Sequence, residues 1–234
     1  MMKNLFMLSL ILVFNTIYSF SQDKGYIAVS LGPSIPTSDF ASKNIDNEAA
    51  GFAQPGGMID ISFGYKLSKN YGIAAMLRGQ INNLDKDAIS TEITKGLPWV
   101  NDNVRTGSWK IGGLMVGGYG TFPITNKVSF EPKFLFGLLL AKSPELNIDL
   151  TGPDGSGWVK QNSVTSSTFG ALVGAGFKYN AGKKMCLFAN IDYLGAKPEF
   201  RDVETTTNFD YREKGTYSQT FGTVNLGIGV GYKL

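Results

Sequence analysis

From Val224 to Leu234 the chain alternates without a break. Val224, Leu226, Ile228, Val230, Tyr232 and Leu234 fall on one set of alternate positions, and Asn225, Gly227, Gly229, Gly231 and Lys233 on the other. A period of two separates such sets onto opposite faces of a strand, whereas a helix would scatter both around its circumference. The same pattern recurs upstream. Ile59, Ile61, Phe63, Tyr65 and Leu67 oppose Asp60, Ser62, Gly64 and Lys66, and Val128, Phe130, Phe134, Phe136, Leu138 and Leu140 oppose Ser129, Glu131, Lys133 and Gly137. Met185, Leu187, Ala189, Ile191 and Tyr193 oppose Cys186, Asn190 and Asp192. KGYIAVSLG, YGIAAMLRGQI and TFGALVGAGFKY behave alike, and SWKIGGLMVGGYGTF alternates with a slip near Gly112-Gly113 that predicts a bulge or bend. Eight strands are predicted.

Their connections alternate in length. LSKNYG, FPITNKV and YNAGKKM are short turns, while residues 35–55, 83–107, 142–162 and 199–217 are long connections. Short and long in turn, around an even number of strands, describes an up-and-down antiparallel meander with its long loops at one end. The tetrapeptide GYKL fits this frame at both its occurrences, residues 64–67 and 231–234: each copy finishes a strand at the short-turn end. Tyr65, Tyr71, Phe122, Tyr179 and Tyr232 gather at that level beside Lys66, Lys69, Lys127, Lys183, Lys184 and Lys233, which suits a membrane–water interface.

An eight-stranded sheet closes either with its apolar face inward, as a soluble ligand-binding barrel, or with that face outward against lipid. The faces opposite the large aliphatics are rich in glycine yet carry Asp60, Arg78, Glu131, Lys133 and Asp192 in mid-strand. Glycine on a solvent face weakens a strand for no gain, but in a narrow lumen it makes room for long charged side chains. Counting outward from a turn centred on Lys69 sets Asp60 opposite Arg78 and Ile61 opposite Leu77. The expected fold is therefore all-β: an eight-stranded antiparallel up-and-down transmembrane β-barrel. Asp60–Arg78 and Glu131–Lys133 are expected to act as an internal plug or gate.

The first residues stand apart from the fold. One Lys in MMKN, the apolar run LFMLSLILVF and small residues Ser19 and Ser21 read as a secretory signal peptide, residues 1–21, with the barrel domain at 22–234. An exported chain with one Cys, Cys186, folds without an internal disulfide. The formal net charge of +3 has no basic block behind it, so no nucleic-acid partner is expected. The chain contains no His, the usual base for activating Ser or water near neutral pH, and catalysis is disfavoured. GIGVG lies within a strand with no helix after it, and DLTGPDGSG lacks the carboxylate spacing of a calcium loop, so no cofactor or metal is expected.

The SFSQ signal end, the GYKLSKNYG and GTFPITNK turns and the terminal VGYKL together resemble the outer-membrane β-barrel family of Bacteroidetes-type bacteria. The chain is similar to the transmembrane domain of OmpA-like proteins, without a peptidoglycan-binding domain and with Leu rather than an aromatic residue at its end. The resemblance implies a place in the outer membrane, contact with its lipid, and insertion by the barrel-assembly machinery. It implies a structural or narrow-pore, porin-like role. A surface binding module is the alternative, with long loops carrying Trp99, Trp109, Trp158 and Phe200 that either contact an extracellular ligand or protein or pack on one another.

Overall fold

The first and last strands pair with each other: Tyr26 stands opposite Lys233 and Ile35 opposite Val224, which closes the sheet on itself. The computed structural model describes residues 25–153, 155–208 and 211–234. The signal peptide expected at 1–21 lies outside them. In chain order the elements are β1 (Gly25–Pro36), α1 (Ser38–Ala41), β2 (Gly56–Lys66), β3 (Tyr71–Asn83), α2 (Lys86–Gly96), β4 (Asn101–Thr106) and β5 (Ser108–Gly120). There follow β6 (Phe122–Pro123), β7 (Val128–Lys142), β8 (Leu146–Gly152), β9 (Gly155–Gln161), β10 (Thr165–Asn180), β11 (Met185–Ala196), β12 (Glu199–Thr207), β13 (Arg212–Ser218) and β14 (Phe221–Lys233).

Eight of these strands form the barrel, in the order β1-β2-β3-β5-β7-β10-β11-β14 and back to β1, each pair antiparallel. The eight expected strands are all present. The side of the apolar face decides what kind of barrel this is. Leu31, Ile59, Leu77, Leu114, Phe134, Leu140, Val173 and Ile228 point outward and stand half or more exposed, on every strand but one of the ring. Ile191 continues the band on the eighth, β11. A continuous apolar belt of this extent is a lipid-facing surface and has no place on a monomer in water.

The bend expected at Gly112-Gly113 is absent. β5 keeps one register against β3 from Asn83–Ser108 to Tyr71–Gly120, and one against β7 from Lys110–Lys142 to Tyr119–Lys133. The apparent slip has another cause. Trp109 and Ile111 point inward and are buried, while Leu114 and Val116 point to lipid, so apolar residues occupy both faces near one end. A register shift does occur in β12, between Phe200 and Val203, where Asp202 adopts a φ of 56°.

The long connections also hold more order than the sequence predicts. β13-β12-β9-β8-β4 form a second, five-stranded sheet beyond the barrel mouth. β8 and β9 are the extended arms of one hairpin, with Leu146 opposite Gln161 and Gly152 opposite Gly155. Leu146, Ile148 and Leu150 of β8 alternate with Asn147, Asp149 and Thr151, but the run is short and its partner β9, GSGWVKQ, has no matching alternation.

Candidate functional site

The middle of the lumen is a layer of charge. Arg78 on β3 lies across from Asp60 on β2 and reaches the far wall at Asp192 on β11. Its Nε and Nη2 donate to the two Asp60 oxygens, each at 2.7 Å. Its Nη1 and Nη2 donate to Asp192 at 2.7 and 2.9 Å. One guanidinium thus forks to two carboxylates, the geometry for which its planar donors are suited. Lys133 Nζ stands 3.5 Å from Asp192, and Asn225 Nδ2 donates to the same carboxylate at 3.2 Å. Arg78 is 2% exposed, so the layer is fully enclosed by the barrel. A buried charge in such a place is tolerable only when paired and hydrogen-bonded, and this one is both.

The second expected pair is rearranged. Glu131 bonds Lys178 on β10 rather than Lys133, and Thr121 Oγ1 donates to Glu131 at 3.0 Å. Glu131 and Lys133 are two apart on one strand, side by side rather than facing. Across the strand gap Glu131 stands opposite Gly176, one diagonal step from Lys178. Lys133 instead passes over Gly174, which lies between it and Asp192 on the flanking strands. A Cβ at Gly174 would come within 2.5 Å of the Asp192 Cβ, so only glycine leaves that path open.

Toward the short turns the lumen is open and polar. A cavity of about 190 Å³ is lined by residues that include Tyr26, Lys66, Tyr119, Lys178, Cys186 and Lys233. A deeper void of about 30 Å³, room for roughly one water, is bordered by Asp60, Glu131, Lys133 and Asn190. Tyr26 and Tyr119 border both spaces. Cys186 is buried and free, and it lines the cavity at the short-turn end.

Toward the sheet end the lumen is closed and dry but not apolar throughout: on one side Ser34, Gln80, Asn82, Thr223 and Asn225 are buried and bonded to one another, Gln80 Nε2 donating to Asn82 Oδ1 at 3.0 Å. On the other side Met115, Leu135, Leu139 and Leu172 are 0% exposed, with Leu194 beside them, and Leu135 reaches down to the small void next to Asp60 and Lys133. Above them α1 carries Phe40 into the mouth, where its ring lies 4.5 Å from Phe221 and 5.9 Å from Trp109. Trp109 adds Phe200 at 5.9 Å, and its Nε1 donates to the Gly51 carbonyl at 2.9 Å. Two of the four aromatics assigned to the loops, Trp109 and Phe200, are therefore core residues and not contact points. Edge-to-face packing of this kind needs neighbours from four distant segments, a proximity no spacing along the chain reveals.

Trp99 is 61% exposed, beside exposed Leu97, between α2 and β4. Trp158, half-buried on β9, carries Lys160 Nζ 4.8 Å over its ring. The adjoining α2 is capped by Asp85, whose side chain accepts from the Ala88 amide at 3.0 Å and pairs with Lys43 at 2.5 Å. Burial pushes the Asp85 carboxyl up, but the Lys43 ammonium, the Ala88 amide and Gln54 together hold it below the usual carboxylate value. The aromatics expected at the interface stand where the turns begin. Tyr71, Phe122, Tyr179 and Tyr232 are exposed, Tyr65 is half-buried, and the Tyr71 and Phe122 rings touch at 6.0 Å.

Lys178 is missing from the expected charges, although KYN follows the alternation of β10 and puts it inward. Among the described residues, no cluster of three or more potential metal-ligating side chains occurs.

A major outer membrane protein of Thermus thermophilus is 12% identical, with 90% of this chain and 99% of that one covered and a TM-score of 0.50. OprG of Pseudomonas aeruginosa is 13% identical over 90% and 96%, with a TM-score of 0.45. The attachment invasion locus protein Ail of Yersinia pestis is 13% identical over 90% and 99%, with a TM-score of 0.43. At such identities the likeness concerns the fold alone. No curated protein matches the chain. Residues 7–233 match the outer membrane protein beta-barrel domain, so the chain belongs to that family and to the outer membrane.

Proposed function

We propose that the barrel is a closed pedestal and that the five-stranded sheet is its working part, turned outward from the cell to hold a partner. One observation carries this reading. From the charged layer to the sheet the lumen is filled by buried side chains, leucines on one side and the hydrogen-bonded Gln80, Asn82 and Thr223 on the other, while Leu97 and Trp99 stand out from the surface layer at the same end. An exposed Trp on a braced segment is the kind of anchor on which binding energy concentrates. The edge strand β13 opens with Arg212, Glu213 and Lys214, all exposed, which discourages indiscriminate strand pairing and leaves side-chain recognition as the mode of contact. The short turns and their aromatics then face the periplasm. Residues 1–21 are the signal peptide that delivers the chain to the assembly machinery, which sequencing of the mature N-terminus tests.

A pore is the second reading. It is favoured by the 190 Å³ cavity, which reaches down from the short turns toward the charged layer. Under it the aromatic plug must move. Catalysis belongs to neither: Asp192 and Glu131 are both engaged by cations, and the chain has no His.

Conductance of the refolded barrel in a planar bilayer separates the readings. A silent barrel is expected, and discrete openings that change in Asp60→Asn/Arg78→Gln overturn the pedestal. Binding of nanodisc-held barrel to arrays of extracellular polysaccharides and proteins should show a hit that Leu97→Ser/Trp99→Ala loses. A hit unaffected by that variant moves the contact elsewhere.

A further inference from the structure

On the lipid face, near the sheet end, two lysines stand side by side. Lys110 on β5 and Lys142 on β7 are register partners, and both point outward. Like charges directly opposed across a strand pair destabilise it unless something of opposite sign lies between them. Among the described residues neither lysine has an ion-pair partner.

Directly beside them the lipid face is hollow. An apolar groove of about 600 Å³ is lined by Gly57, Gly79, Gly112, Ile81 and Leu140, with Lys110 and Lys142 at its rim. These three glycines differ from those of the lumen. A Cβ at Gly113, Gly117 or Gly137 would meet backbone at about 2 Å. At Gly79 it would meet only the Ile59 Cγ2 at 3.6 Å, and at Gly57 only the Gly32 carbonyl at 3.9 Å. At Gly112 it would stand 3.3 Å from the Arg78 carbonyl oxygen, a tight fit, but at Gly57 and Gly79 nothing inside the molecule requires glycine. A strand glycine without an internal reason marks a place where something else approaches closely.

The height agrees with a headgroup. Lys110 lies ten residues along β5 from Gly120, which pairs with Tyr71 of the turn-end aromatics. Ten residues on a strand tilted by about 40° rise about 25 Å, the height of the apolar band of such barrels. The two ammonium groups therefore stand level with lipid phosphates, and the groove lies alongside the acyl chains.

We propose that Lys110 and Lys142 with the Gly57–Gly79–Gly112 groove form a binding site for one phosphorylated lipid of the outer leaflet, phosphate between the lysines and an acyl chain in the groove. The leaflet follows from the orientation proposed above. A second copy of the barrel is the poorer occupant, because a two-fold contact on this face would gather four lysines together.

Native mass spectrometry of the full barrel, released from detergent and titrated with diphosphoryl lipid A, tests the site. One retained lipid per barrel is expected. Lys110→Gln/Lys142→Gln should weaken retention at least tenfold. Gly57→Leu/Gly79→Leu keeps both charges, and its Cβ atoms fit, so the barrel should fold while retention falls comparably. Phosphate-free lipid A should bind as weakly as the lysine variant, and millimolar inorganic phosphate should not compete. Retention within twofold of wild type in both double variants overturns the site. Competition by inorganic phosphate with no effect of the glycine variant means a free-anion site and overturns the lipid reading. A dimer that the glycine variant dissolves means a protein interface and also overturns it.

Discussion

Below the level of Asp60 and Arg78 the lumen holds Glu131, Lys178, two tyrosines and a cavity open enough for several waters; above it, leucines, edge-to-face aromatic rings and the bonded set of Ser34, Gln80, Asn82 and Thr223 fill the bore. The two halves face the same geometric problem, since an eight-stranded barrel must fill its own interior. The turn-end half does so with charges that neutralise one another, and the sheet-end half with close-packed hydrocarbon on one side and neutral polar groups bonded to one another on the other. The difference teaches that polarity of the lumen is a local property. A polar inner face on the sequence does not make a continuous path.

The comparison is broken most severely at the boundary between the halves. Arg78→Met leaves Asp60 and Asp192 facing each other without their shared cation, and should cost about 3–5 kcal/mol in urea unfolding of the detergent-held barrel. Adding Asp60→Asn and Asp192→Asn should recover most of that loss. A cost below about 1 kcal/mol for Arg78→Met would mean the layer is hydrated and the boundary fictitious. In the dry half Leu139→Ala should cost about 2–4 kcal/mol, with no recovery available from any charge change, since the loss is a cavity. In the wet half Lys178→Met should cost less, about 1–2 kcal/mol, because Glu131 keeps Thr121 and borders cavities where water can serve it.

The smallest effect lies outside the barrel altogether. Asp85 holds the start of α2 with its carboxyl below the ordinary value, so its contribution is fully present above the unfolded-state value. It is lost as pH falls through the lower folded one. The protection of amides 86–96, taken as their exchange rate against the intrinsic rate at the same pH, should fall on acidification through that acid range and not between neutral pH and the ordinary carboxylate value. Asp85→Asn, which keeps a capping oxygen, should remove the pH dependence.

What the sequence makes legible follows the short turns. The strands that carry Asp60 and Arg78 are joined by four turn residues, so counting outward from that turn is enough to fix their register. Glu131 and Lys178 are separated by the whole β8–β9 excursion, whose length says nothing about how β7 and β10 slide against each other. Their pairing is therefore out of reach of the sequence, although each residue's inward direction is plain. The dry half is hidden for a different reason. Trp109 and Ile111 are apolar on the lumen side of a strand that is also apolar on the lipid side, and a period-two reading treats two greasy faces as an irregularity. In the surface sheet the alternation of Leu146, Ile148 and Leu150 on β8 is legible but short, and β9 beside it has none, so only one arm of that hairpin is marked in the sequence.

The long reach of Arg78 sets an order of events during assembly. Its bond to Asp60 spans 18 residues and can form as soon as the first hairpin does, whereas its bond to Asp192 spans 114. A chain that has inserted only its first strands carries an Arg with one counter-ion, and β11 and β14 must arrive before the charge count is complete and the ring can shut. Closure and neutralisation are thus a single late step, and a barrel arrested short of it stays ajar at the seam, charged inside and still within reach of the machinery that folds it.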